Sequence, residues 1–124
     1  MSAPDSSALH GTWQVVRAEL GGQPMPDEAA AHVELEFSAT GYAVRFGGET
    51  TDAGTYALAG DGSPRGITMT GRVGVNQGRT LPGIIELQGD RLRVCFALEG
   101  NTPPDAFAAP AGTLCYLATY RRKA

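Results

Sequence analysis

The nineteen residues Gly78–Phe96, GRTLPGIIELQGDRLRVCF, decide the fold. Two apolar runs, Leu81–Leu87 and Leu92–Phe96, flank Gln88-Gly89-Asp90-Arg91, and a Gly-Asp pair between such runs signals a tight hairpin. Beyond the turn Leu92, Val94 and Phe96 alternate with Arg91, Arg93 and Cys95. A period of two is what a sheet with one buried face requires.

The same pattern extends in both directions. Gly11–Leu20 predicts the first strand, and the adjacent apolar pair Val15-Val16 predicts a bulge or burial on both sides there. Gly21-Gly22 ends it. Pro24–Ala31 reads as one or two helical turns, with proline at the start, Asp27 and Glu28 in the first turn and alanines after them. Val33, Leu35 and Phe37 alternate with His32, Glu34 and Glu36, and Tyr42, Val44 and Phe46 continue after the turn at Ala39–Gly41. Gly54–Leu58 and Ile67–Thr70 are two more strands, separated by an Ala59–Pro64 loop. Gly71–Gly78 reads as a loop, as does Leu98–Gly112, whose large apolar anchor is Phe107. Thr113–Tyr120 is the last strand. Eight short, mostly hairpin-connected strands must close or stack to protect their edges. The expected fold is all-β: an eight-stranded antiparallel up-and-down barrel with one short helix after the first strand, a small sandwich being the alternative. Residues 1–8 are expected to be a frayed end and 9–124 a single domain.

Composition restricts function. The 124 residues are 42% hydrophobic and 19% charged, as in an ordinary globular domain, and carry 10 Lys+Arg against 13 Asp+Glu. A net charge of −3 argues against a nucleic-acid partner. The first residues, MSAPDSSALHG, lack the charged and apolar regions of a signal peptide, and no apolar run reaches the roughly 18 residues of a membrane span. Two cysteines, Cys95 and Cys115, do not make a disulfide framework, though a bridge between neighbouring strands stays open. The expected compartment is the cytoplasm.

Gly11-Thr12-Trp13 resembles the lipocalin opening motif. That resemblance implies that Trp13 closes the barrel base beneath an arginine from the last strand, Arg121 or Arg122. More closely, the chain resembles a bacterial lipocalin-like, calycin-type domain family of unassigned function, abundant in planctomycetes. The resemblance rests on Gly11-Thr12-Trp13, Val15-Val16, Glu19, Pro24, Gly54-Thr55-Tyr56, Gly78–Leu81, Gly83-Ile84, Glu86-Leu87, Gly89-Asp90, Leu92 and Cys95-Phe96. Two positions depart from the family pattern: Pro103 replaces an arginine and Ile85 a tyrosine.

No stretch carries catalytic or metal-binding chemistry. His10 and His32 lack the convergent partners a metal needs. Glu34 and Glu36 have the i, i+2 spacing of a solvated strand face. Gly74–Thr80 is one residue short of a phosphate loop and lacks its lysine. There is no Gly-x-Ser-x-Gly elbow, and Cys95 has no histidine partner. The chain therefore reads as non-enzymatic, with no cofactor and no metal. Phe37, Tyr42, Phe46, Tyr56, Phe96 and Tyr116 are expected to point inward, with Met69, Leu81, Ile85 and Val94 beside them. Gly54 and Gly83 remove volume on the same phase. These residues predict a pocket for a small apolar ligand, with the Tyr56 and Tyr116 hydroxyls as polar anchors. The alternatives are a packed barrel that binds proteins through Leu98–Gly112, or an enzyme using the pocket. No protein partner is identifiable.

Overall fold

Alternating apolar side chains generate the strands of the computed structural model, which describes residues 9–39, 41–59, 65–98, 103–104, 106–109 and 111–123. The expected frayed segment 1–8 and most of the expected Ala59–Pro64 loop lie outside these residues. The elements are β1 (Gly11–Leu20), β2 (Gln23–Pro24), α1 (Asp27–Ala30), β3 (Val33–Phe37), β4 (Gly41–Phe46), β5 (Glu49–Ala59), β6 (Arg65–Gly74), β7 (Thr80–Gln88), β8 (Arg91–Ala97) and β9 (Cys115–Arg122). All strand pairings are antiparallel. From β3 to β9 each strand pairs with the next, and β9 returns to β1, which also pairs with β3. The result is a closed eight-stranded barrel, with the two-residue β2 folded back on the end of β1. Closure removes the sheet edges on which aggregation would start.

The deciding hairpin forms as its sequence implies. Gln88 pairs with Arg91, leaving a two-residue turn whose Gly89 has φ +60° while Asp90 stays at negative φ. A positive first position alone is the type II′ pattern, which matches the twist of the flanking strands. Three bulges bend the wall, at Val16 in β1, Thr51 in β5 and Arg72 in β6. The first explains the Val15-Val16 pair: Val15 is buried, whereas Val16 is 56% exposed.

Four elements differ from the sequence expectation. The helix is shorter, Asp27–Ala30, because Gln23 and Pro24 pair with β1. β5 begins at Glu49, and β6 continues to Gly74 through residues expected to be loop. In both, backbone pairing across a bulge extends the strand beyond its apolar alternation. The fourth is the last strand, which runs Cys115–Arg122 and leaves Leu114 half-exposed before it.

One end of the barrel, the base, is solid. Trp13, Leu92 and Val94 have no exposed surface, and Phe37 and Ile67 are 2% exposed. The other end, the mouth, is marked by the Gly21-Gly22 and Gly47-Gly48 turns. After Gln14 the strand β1 parts from β3, and α1 covers the gap. Gln14 Nε2 donates to the carbonyls of Ala30 and Val33, both at 3.0 Å, and buried Ala30 joins the core.

Candidate functional site

At the base, Trp13 Nε1 donates to the Leu9 carbonyl at 2.9 Å. The Arg122 guanidinium lies 4.3 Å from the Trp13 ring centroid, and its Nη1 donates to the His10 carbonyl at 2.9 Å. The stacking residue is thus Arg122. Arg121 is exposed and cannot take that role, because one residue along a strand turns the side chain to the opposite face.

The expected ligand-contacting residues divide into several groups. Phe37, Met69, Ile85 and Phe96 are buried inside the barrel and pack in one continuous core. Tyr42 is also buried, but its hydroxyl donates to Asp52 Oδ1 at 3.0 Å. Tyr56 is half-buried and packs edge-on against Phe37, and its hydroxyl donates to the Ser38 carbonyl at 2.7 Å. That bond ties the β3–β4 turn, so the Tyr56 hydroxyl is not a spare anchor. Phe46 does not point into the interior: it lies at the end of β4, 47% exposed, with its ring 5.9 Å from that of His32. Its phase is inward, but the strand has run past the core.

The two inward glycines do not leave the space that was expected. A Cβ on Gly83 would come within 2.5 Å of Phe96 Cδ1 and 2.6 Å of the Cys95 carbonyl oxygen, so the Phe96 ring covers the position from the paired strand. At Gly54 the Thr70 carbonyl stands 1.9 Å from where a Cβ would be.

The remaining residue, Tyr116, lines an apolar hollow of about 210 Å³ with Ala18, Glu19, Leu20, Gln23 and Met25 at the mouth. Its hydroxyl lies 3.4 Å from that of Tyr120, a residue 4% exposed on the same inward face of β9. Burial pushes both phenols above their ordinary range, and the proximity of Tyr116 raises Tyr120 further. Two neutral phenols share one hydrogen bond here. Either oxygen can be the donor in it. Around the mouth Leu20, Phe46, Val73, Val75 and Leu114 are 41–75% exposed, an apolar rim.

Sequence reasoning missed Asp52, which is 7% exposed. Its Oδ1 accepts from Tyr42, and its Oδ2 accepts from Asn76 Nδ2 at 2.8 Å, tying the turn after β6 to the wall. Burial, and then the Asp52 charge, drives the Tyr42 phenol far above its ordinary range. The expected solvated carboxylates behave as surface groups. Arg45 pairs with Glu36 at 2.8 Å and with Glu34 at 3.7 Å, and Lys123 also pairs with Glu34. Cys95 and Cys115 are free thiols. Cys95 points outward yet is fully buried, because the loop before β9 covers it: Cys95 Sγ donates to the Ala108 carbonyl, and Arg93 stacks 4.0 Å over Phe107.

The chain matches no protein-family model and no curated protein sequence. Among the described residues, no three His, Cys, Asp or Glu side chains gather as metal ligands, and no helix is long and apolar enough to cross a membrane.

Proposed function

We propose that this chain is a non-enzymatic, lipocalin-like barrel that holds a small apolar ligand at its mouth. The observation that carries this reading is the apolar hollow bounded by Ala18, Leu20, Met25 and Tyr116. A hollow of about 210 Å³ accepts a ring or a short alkyl segment; apolar cavities of about 150 Å³ bind benzene. Burying such a group against these side chains supplies the affinity. The exposed apolar rim favours capture from water at the same end.

Titration of the full chain with an environment-sensitive lipophilic dye tests the reading, alongside native mass spectrometry of protein from its own source. Saturable one-to-one binding is expected. Met25→Trp fills the hollow and should abolish it. Unchanged dye affinity in Met25→Trp would overturn the proposal.

A further inference from the structure

The outer face of β7, β8, β9 and β1, near the base, carries a charge arrangement that the mouth does not explain. Strand register places Thr119 between Arg17 on β1 and Arg93 on β8. In the next row toward the base, Arg121 sits directly opposite Arg91. Four of the chain's 10 basic residues thus stand on one small area of a protein with net charge −3. Directly opposed like charges repel across a sheet.

Only one of the four guanidinium groups is matched. Arg93 pairs with Glu86 at 2.7 Å and covers Phe107. Arg17, Arg91 and Arg121 are exposed, and among the described residues none makes an ion pair. Asp90 lines the same area, and Arg122 Nε lies 3.5 Å from its Oδ1 and offsets its charge. Glu19 faces outward one row nearer the mouth, opposite Leu117. The Thr119 hydroxyl lies in the middle with no side-chain hydrogen bond among the described residues. A surface hollow of about 460 Å³ runs between Arg17, Asp90, Arg91, Thr119 and Arg121, three guanidinium groups against one carboxylate.

We propose that this hollow binds the phosphate group of a small phosphomonoester. Guanidinium forks match phosphate oxygens in geometry and charge, and the central hydroxyl can donate to a bound oxyanion. A dianion would also cancel the repulsion between Arg91 and Arg121. The area is small: three strands wide at about 4.8 Å each and two residue rows deep, the size of one phosphate and its immediate substituent. Its borders are acidic, with Glu86 on one side and Glu34, across from Gln14, on the other. An extended polyanion would run into both. The chemistry is therefore that of a small molecule rather than a nucleic acid or a lipid surface.

Calorimetric titration of the full chain with inorganic phosphate and glycerol 3-phosphate, at low ionic strength and with chloride as the reference, tests this. Saturable one-to-one binding is expected, and Arg91→Gln and Arg121→Gln should each weaken it about tenfold. All three exposed substitutions are first shown to keep the wild-type melting cooperativity. Arg72→Gln, an exposed arginine on β6, should leave binding unchanged. The proposal is overturned by absence of saturation, or by an equal loss in Arg72→Gln, which would mean bulk charge alone. It is equally overturned if a single-stranded oligonucleotide or anionic vesicles bind Arg91 and Arg121 while the small phosphates do not.

Discussion

Replacing Asp52 with alanine removes a buried acceptor that joins β4, β5 and the turn after β6. Its two hydrogen bonds, 3.0 Å from Tyr42 and 2.8 Å from Asn76, both end on a buried carboxylate. Hydrogen bonds to charged groups contribute about 1.5–3 kcal/mol each, and the truncation also leaves the buried Tyr42 hydroxyl unsatisfied. The expected loss is about 3–5 kcal/mol, or about 11–19 °C in melting temperature for a domain of this size. Asp52→Asn should cost less, about 1–2 kcal/mol, because the amide oxygen still accepts from Tyr42 while its NH2 group faces the Asn76 amide. Urea unfolding followed by the fluorescence of the single tryptophan, Trp13 at the opposite end, makes the readout global. The decisive comparison is a double-mutant cycle. Tyr42→Phe should destabilise the wild type by about 1–2 kcal/mol and be close to neutral in Asp52→Ala, where the hydroxyl has already lost its partner. Additive losses, or a drop below about 1 kcal/mol in Asp52→Ala, would refute the reasoning.

Three further outcomes are expected. Gly83→Ala should lower the melting temperature by about 4–10 °C, because its Cβ meets both the Phe96 ring and the immovable Cys95 carbonyl; differential scanning calorimetry measures this. Arg122→Ala should cost about 1–2 kcal/mol and shift Trp13 emission, whereas Arg121→Ala should stay within about 0.5 kcal/mol of wild type. Tyr42, Tyr116 and Tyr120 have raised folded pKa values, so the unfolded chain releases these protons first. Their contribution is fully present below about pH 10 and is lost as pH rises above it, and in Tyr56→Phe, where only these three phenols remain, phenolate absorbance should grow together with alkaline unfolding rather than before it.

The hairpin from Thr80 to Ala97 is legible because each apolar residue reports its own face and Gly89 marks the turn. Burial of Asp52 is not legible, since Glu49-Thr50-Thr51-Asp52 reads as polar and the bulge at Thr51 that sets its phase depends on the partner strand. Cys95 follows the outward alternation and is nevertheless fully buried, because a loop more than ten residues away in sequence folds over it. Arg91 and Arg121 show the same limit for charge. Thirty residues separate them, and only the β8–β9 register brings them face to face. The inward phase read from alternation alone therefore matches the burial of Phe37 and Phe96 but not the exposure of Phe46 near a strand end.

The pairing of β9 with both β8 and β1 has a kinetic consequence. Seven strands can associate with their sequence neighbours while the chain is being made, yet the barrel stays open until β9 arrives. The contact that seals the base, Arg122 with the His10 carbonyl, spans 112 positions. Closing so large a loop is entropically costly and slows folding. Until then β1 and β8 each present an unpaired edge along which another chain could dock. Synthesis past Cys115–Arg122, more than any earlier event, ends the period in which this chain is open to aggregation.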